Sequence, residues 1–286
     1  MKQQPSNQST LYLIPTPIGN LADMTYRAVQ ILNQVDLIYA EDTRTSGVLL
    51  KHYDIKTPMK SYHKFNEKAR CEEIINHLKN KRNIAVISDA GTPGISDPSN
   101  VVVKAVVESG FQVTPLPGAT AMIPALVASG FDTKHFFMAG FCPEKKKDRE
   151  SLFKKLQTLE VPIIFYESPH RLNKFFSEIK EYFFDADICI ARELSKVFET
   201  FYRGKLDEII QNIDHVVLKG EFVIIVVPKK VERDFDTTIL ELFSKKYSDL
   251  SVKKASQLIA SELDISKNKV YEILTGNGNA KCQNNP

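Results

Sequence analysis

Twelve consecutive residues, Ile87-Ser88-Asp89-Ala90-Gly91-Thr92-Pro93-Gly94-Ile95-Ser96-Asp97-Pro98, concentrate the groups that hold a small ligand. They follow the apolar run Ile84 to Ile87 and precede a helical pattern starting at Ser99. Two glycines let backbone N–H and C=O groups approach a ligand, and two prolines fix the loop. Two carboxylates and three hydroxyls add polar handles. In an open α/β sheet, ligands bind in loops at the C-terminal ends of strands. A purely structural turn is the competing reading, but a turn does not need so many special residues.

Three more segments of this kind follow apolar runs. They are Pro15-Thr16-Pro17-Ile18-Gly19-Asn20-Leu21 after Leu11–Ile14, Glu41-Asp42-Thr43-Arg44-Thr45 after Leu37–Ala40, and Pro117-Gly118-Ala119-Thr120-Ala121 after the run that closes at Leu116. All four would gather on one edge of a parallel sheet. Several chemistries lack their signatures. There is no G-x-x-x-x-G-K-[ST] phosphate loop, and Gly276-Asn277-Gly278 lies in the tail rather than at a strand–helix turn. No HExxH and no GxSxG occurs. ATPase, dinucleotide dehydrogenase, zinc protease and α/β-hydrolase readings are therefore unsupported.

The elements that must position these loops can be read from periodicity. With 286 residues the chain has room for two domains and a small third. Strand and helix patterns alternate from 11 to about 227. Strands are predicted at 11–14, 37–40, 84–87, 112–116, 136–140, 161–166, 187–191, 198–203 and 222–227. Helices are predicted near 25–35, 67–80, 99–109, 119–129, 148–159 and 170–183. Thr25 can cap the first of these. The fold class expected is α/β, with an N-terminal domain over 11–118 and a C-terminal α/β domain over 119–228. Residues 229–236 are almost all charged and read as a linker. A small helical domain follows over 237–276, with helices at 237–247, 252–263 and 267–274, N-caps at Ser251 and Ser266 and a stop at Gly276. Its last two helices have helix-turn-helix proportions, although a structural bundle is the simpler reading. Residues 1–10 and the tail 277–286 are polar and expected to be disordered.

Composition is that of an ordinary globular protein, 43% hydrophobic and 26% charged, with a net charge of +3 that permits a nucleic-acid partner without requiring one. Cys71, Cys142, Cys189 and Cys282 are widely spaced, without a CxxC pair, so reduced thiols and a cytoplasmic location are expected. No signal-peptide pattern and no membrane-length apolar run is present.

Six segments, in order, carry a family resemblance. They are Thr16-Pro17-Ile18-Gly19-Asn20-Leu21, Glu41-Asp42-Thr43-Arg44, Ser88-Asp89-Ala90-Gly91-Thr92-Pro93-Gly94, Pro117-Gly118-Ala119, Tyr166-Glu167-Ser168-Pro169-His170-Arg171 and Ala191-Arg192-Glu193-Leu194-Ser195-Lys196. Together they resemble the ribosomal branch of the tetrapyrrole methylase superfamily over residues 11–227. The resemblance implies a tetrapyrrole-methylase-like fold, two α/β domains with S-adenosylmethionine (SAM) in the cleft between them, and a homodimer without metal. It implies 2′-O-methylation of a cytidine ribose in 16S rRNA of the small ribosomal subunit. SAM carries no phosphate, which fits the missing phosphate loop.

On that resemblance, Ser88, Asp89, Ala90, Gly91, Thr92, Ile95, Ser96 and Asp97 become cofactor candidates. Asp89 or Asp97 would balance the donor's positive groups; Asp97 could equally be a turn residue or helix cap. Pro17, Ala119 and Thr120 should line the same cleft, Tyr166 and Glu167 should close it, and Gly220 and Glu221 are candidates for the adenine side. A ribose hydroxyl is a poor nucleophile, so a base is expected. Asp42 and His63 are candidates, with Arg44 as an anchor for RNA phosphate and Glu41 orienting Arg44. The alternative for Glu41-Asp42 is a helix N-terminus, and for His63 a structural role. The stretch around His63 and Lys64 mixes aromatics and a cation, as RNA stacking and phosphate contact require. Lys145, Lys146, Lys147 and Arg149 are candidate rRNA backbone contacts or a solvated helix start, and Arg171 either meets substrate or holds the cleft together. A small-molecule corrin or porphyrin methylase and a non-catalytic ribosome-binding protein are the alternatives. The former usually carries Gly-Pro-Gly-Asp in its first loop, where this chain has Thr16-Pro17-Ile18-Gly19-Asn20.

Overall fold

Successive residues of the strand Leu37-Ile38-Tyr39-Ala40 are all buried, yet they enter two different cores. Leu37 and Tyr39 pack with Ile74, Leu78, Val102 and Val106, whereas Ile38 and Ala40 pack with Ala28, Leu32 and Leu50. A strand reads as a continuous apolar run when helices cover both faces of its sheet.

The computed structural model describes residues 9–97, 99–229, 235–263 and 265–275. The first lobe runs β1 (Thr10–Ile14), α1 (Tyr26–Gln34), β2 (Leu37–Ala40), α2 (Thr43–His52), β3 (Met59–Ser61), α3 (Glu67–Lys79), β4 (Ile84–Ile87), α4 (Ser99–Glu108) and β5 (Gln112–Pro115). Among the described residues its sheet has the order β3-β2-β4-β1-β5, parallel throughout. The loops after β1, β2, β4 and β5 therefore leave by one edge, as expected. Thr25 caps α1, its hydroxyl accepting from Ala28 N at 3.1 Å. Two elements of this lobe, β3 and α2, escaped the sequence reading, as did a later helix at Leu206–Gln211. β3 is a three-residue edge strand, Met-Lys-Ser, without β-branched residues or full burial to mark it.

The chain then changes sheets. α5 (Met122–Ser129) packs on strands of the second sheet, which it reaches three residues later than the sequence pattern suggests. The order continues β6 (Phe137–Phe141), α6 (Lys146–Leu156), β7 (Ile163–Glu167), α7 (Leu172–Ile179), β8 (Asp187–Arg192), β9 (Thr200–Lys205), α8 (Leu206–Gln211) and β10 (Phe222–Val227). The sheet order is β6-β7-β10-β8-β9 and the pairing is mixed: β6 and β7 are parallel, and the other neighbours antiparallel. In β10, Phe222, Ile224 and Val226 face an aromatic core with Phe153, Phe165 and Phe175, whose rings meet edge to face. Val223 and Ile225 face Ala125 and Leu126 of α5, and Ile18 from the first lobe. That second core joins the lobes. Cys71, Cys142 and Cys189 are free and buried.

The described residues from 235 to 275 form a separate compact unit. In it, α9 (Phe235–Leu242) continues as a wider π-helical turn at Phe243–Tyr247, followed by α10 (Val252–Leu263) and α11 (Lys267–Leu274). Ile239, Ala255, Ile259 and Val270 make its core. Ser266 caps α11 by accepting from Lys269 N at 3.2 Å. Expectations for residues 1–8, most of the charged linker, the stop at Gly276 and the tail with Cys282 lie outside the described residues. Among the described residues no helix is long and apolar enough to cross a membrane.

Candidate active site

The loops on the parallel sheet's edge are tied to one another by their own backbones. Thr16 and Gly91 exchange N–H···O bonds in both directions at 2.9 Å. The Thr16 hydroxyl donates to Ser88 O at 3.0 Å, and the Ser88 hydroxyl to Gly91 O at 3.1 Å. Thr92 Oγ1 donates to Ala119 O at 2.9 Å, bringing in the loop after β5. Gly91 has φ +81°, a left-handed conformation that side-chain-bearing residues resist. A Cβ there would meet only ordinary contacts, the nearest at 3.5 Å from Ile18, so conformation rather than space is what glycine supplies.

Between these loops and the second lobe lies a cavity of about 370 Å³, a size typical of small-molecule sites. Ile18, Ala191, Leu194 and Val223 give it apolar lining, and Glu41, Asp89 and Asp97 line it with carboxylates. Of the cofactor-site residues named from sequence, all but Pro17 and Ala119 line it. Pro17 lies between Thr16, bridged to Gly91, and the lining residue Ile18; Ala119 offers its carbonyl to Thr92. Phe141, Ala191, Leu194 and Val223 were not anticipated. Ala191 and Leu194 fall inside the Ala191–Lys196 motif, which was the available signal; Val223 had none beyond its strand pattern, and Phe141 lies one residue past the strand predicted over 136–140.

The acidic groups have distinct duties. Asp97 caps α4, taking Ser99 N at 2.8 Å and Gly94 N at 2.7 Å, so the cap alternative describes it. Asp89 spends one oxygen on Asp42 N at 2.9 Å. Burial pushes the Glu41 carboxyl above the usual carboxylate range, and the charges of Asp89 and Asp97 push it further. On the opposite wall, burial raises Tyr166 and Glu167. Glu167 accepts from Ser168 N at 2.9 Å and pairs with Arg171 at 3.2 Å, which opposes that rise. Two residues before β10, Gly220 has φ +96°, and a Cβ there would collide with Glu193 Oε1. That oxygen accepts from Glu221 N and from Lys196 Nζ, both at 2.9 Å. Glu193 and Ser195 themselves hold left-handed conformations, φ +54° and +63°. Such non-glycine conformations are costly and persist where surrounding structure enforces them.

Three sequence expectations need correction. Asp42 is not a free base. Its carboxylate accepts from Arg44 Nε and the terminal nitrogen at 3.1 and 2.7 Å and caps α2 through Arg44 N at 2.8 Å. Those bonds pull it down to about 2. Arg44 is correspondingly oriented by Asp42, not by Glu41, and its side chain is 90% exposed. Arg149 is not a surface contact for RNA: its side chain is 4% exposed, makes two bonds to Glu178 at 2.6 and 2.8 Å, and donates to the Pro143 and Glu144 carbonyls. Apolar neighbours in α6 place it on the inward face. Arg171 donates to Cys142 O at 2.6 Å as well as to Glu167, bracing one wall of the cavity from within the second lobe.

The other candidates stand outside the cavity. His63 is half-buried in the loop after β3, with Nδ1 buried and unpartnered and Nε2 at 3.2 Å from Asn66 Nδ2. Lys64, Lys145, Lys146 and Lys147 are exposed. Among the described residues no group of three or more His, Cys, Asp or Glu side chains is arranged to hold a metal ion.

A family model described as Tetrapyrrole (Corrin/Porphyrin) Methylases matches residues 10–210. The chain is 41% identical over 271 residues to Ribosomal RNA small subunit methyltransferase I of Synechocystis sp., covering 92% of this chain and 96% of that one. It is 39% identical over 275 residues to the protein of the same name in Bacillus subtilis, covering 93% and 94%. Its fold is similar to crystal structures of diphthine synthase (TM-score 0.63, 10% identity, 77% of this chain and 90% of that one) and of uroporphyrin-III-C-methyltransferase from Thermus thermophilus (0.53, 15%, 76% and 94%).

Proposed function

The chain belongs to the tetrapyrrole methylase family, and from that premise we propose that it transfers a methyl group from SAM to the 2′-hydroxyl of a cytidine in 16S rRNA. The observation that carries the reading is the near-full-length likeness to relatives named for methylation of small-subunit ribosomal RNA. The cleft supports it with a chemistry suited to SAM. It has carboxylates for a cationic ligand, apolar residues for a ring, and no phosphate loop.

Bound there, SAM supplies an electrophilic methyl group on a positively charged sulfur. The residues of this chain do the rest. The Thr16–Gly91 bridge and the Thr92–Ala119 bond fix the loops that present backbone groups to the donor. Asp89, with one oxygen uncommitted to Asp42, offsets the donor's positive charge. Tyr166 and Glu167 close the second wall, Glu167 being oriented by Arg171. In the displacement, the ribose oxygen bonds to the methyl carbon as the carbon–sulfur bond breaks, and the hydroxyl proton must leave. We assign that proton to Glu41, which lines the cavity and whose raised basicity suits proton acceptance better than Asp42 held by Arg44. Positioning of the two reactants supplies much of the remaining acceleration. The lysines at 145–147 and Arg44 serve the RNA backbone.

The protein acts on ribosomal particles in the cytoplasm and as a homodimer. Apolar side chains left exposed on α5 and β6, Ile123, Val127 and Phe137, support self-association. The deciding experiment is transfer of tritiated methyl groups from SAM to small subunits of a strain lacking this protein, followed by mapping of the modified nucleotide. Label in a single 2′-O-methylcytidine is expected. Persistence of every 2′-O-methylcytidine in that strain, with loss of a methylated tetrapyrrole, would overturn the reading in favour of a small-molecule enzyme.

A further inference from the structure

The loop after β3 displays an aromatic ring that nothing in the fold covers. Phe65 is 95% exposed. Its described ring contact is the edge of His63, with centroids 6.1 Å apart. The backbone beneath it is nevertheless fixed. Asn66 accepts from His63 N at 2.9 Å through its side-chain oxygen, and Asn66 N donates to His63 O at 2.9 Å, closing a tight turn. Asn66 Nδ2 reaches Ser61 O at 3.3 Å, and Arg70 Nε donates to the same carbonyl at 3.1 Å. The ring is thus held outward by a braced turn.

Its place in the sheet gives this meaning. Ala40 of β2 is paired in parallel with Ser61 of β3 on one side and with Ile87 of β4 on the other. The chain therefore leaves all three strands at one edge. The loop after β4, through Ser88–Thr92 and Ile95–Asp97, and Glu41 line the cavity, Arg44 stands one strand further out, and Lys64 and Phe65 stand at the edge strand. Two strand spacings, about 10 Å, separate the β4 and β3 exits. Along that path the exposed groups include the Arg44 guanidinium, one side of which is held by Asp42, the Lys64 ammonium and the Phe65 ring, with the Asp89 carboxylate at the β4 end. Cations for phosphates beside an aromatic surface for bases are what a single nucleic-acid strand requires, whatever its sequence.

We propose that Phe65 is a stacking platform for an unpaired base flanking the target nucleotide, with Arg44 and Lys64 holding the intervening phosphates. This rests on the cleft being an RNA methyl-transfer site. A nucleobase is favoured over a protein partner because the ring stands alone between polar residues and beside cations rather than within an apolar patch.

The test is steady-state methyl transfer by the full chain at saturating SAM, with unmethylated small ribosomal subunits as the varied substrate. Removal of one stacked base contact corresponds to about a 5- to 150-fold loss of affinity. Phe65→Ala is expected to raise KM for subunits by that factor, with the effect falling on KM rather than kcat, and Phe65→Tyr to restore it. SAM affinity, read by calorimetry, should not move in either variant. Active wild type with an unchanged KM in Phe65→Ala would overturn the platform while sparing the methyltransferase reading. A wild type that transfers no methyl to subunits would overturn that reading and the platform with it. A KM change that follows a loss of self-association in light scattering would assign Phe65 to a second copy and also overturn the platform.

Discussion

Arg149 offers the sharpest separation of a structural role from an RNA-binding one. Its guanidinium is almost completely buried and makes two bonds to Glu178, itself 15% exposed, and the Pro143 and Glu144 carbonyls take more of its donors. Removing one partner of such a pair leaves the other charge buried and uncompensated, at a cost of about 3–5 kcal/mol. Arg149→Met should therefore destabilise the α/β unit by about 3–5 kcal/mol. For a unit of this size that corresponds to a fall in Tm of about 6–20 °C. Glu178→Gln, which keeps the shape and some hydrogen bonding, should cost less. The pair also sets a pH signature. The Arg149 guanidinium holds the Glu178 carboxyl below its ordinary value. A carboxylate with a depressed folded-state pKa adds stability that is present above the unfolded-state value and is lost as pH falls through the folded one. The difference in melting temperature between wild type and Glu178→Gln should then shrink on acidification through and below the ordinary glutamate range. Differential scanning calorimetry across pH, with filter binding of subunit RNA over a salt series, measures both roles. A folded Arg149→Met protein with unchanged melting, weaker RNA binding and a shallower salt slope would refute the reasoning.

Other expectations follow from the site. Gly220→Ala should cost about 1–3 kcal/mol for a left-handed alanine and displace Glu193, weakening SAM binding in calorimetry; unchanged stability and affinity would show that the Glu193–Glu221–Lys196 cluster is slack. Glu41→Gln should slow single-turnover methyl transfer by about 10²–10⁴-fold. In the wild type the acid limb of the rate profile should begin at a higher pH than an ordinary glutamate gives, because Glu41 is raised, and the variant should lack that limb; a profile unchanged by the substitution would remove Glu41 as base. Asp42→Asn should keep the rate within about tenfold, whereas a true base would lose far more. Arg44→Ala should reduce the salt slope of RNA binding by about 0.7–0.9, the value for one phosphate contact, and leave SAM affinity intact; an unchanged slope would take Arg44 off the RNA path.

The loop edge that lines the cavity was legible in local sequence. Glycines, prolines and small polar residues after apolar runs mark loops whose conformation is set locally, so Ser88–Asp97 and Thr120 could be found before any contact was known. The buried strands β2, β4 and β10 were legible for the same reason: local pattern and burial agree there. The features that local pattern did not show depend mostly on partners distant in the chain. β3 exists because β2 offers it an edge, not because Met-Lys-Ser prefers a strand. Arg149 sits in a basic run that looks solvated, and only α7, 29 positions on, supplies the carboxylate that buries it. Asp42 and Glu41 are adjacent and chemically alike, yet one is drawn down to about 2 by Arg44 and the other is raised by burial and by Asp89 and Asp97. A residue's type fixes which protons and charges it can carry. Its solvation and its neighbours fix which of them it keeps, and those are set by how the elements pack.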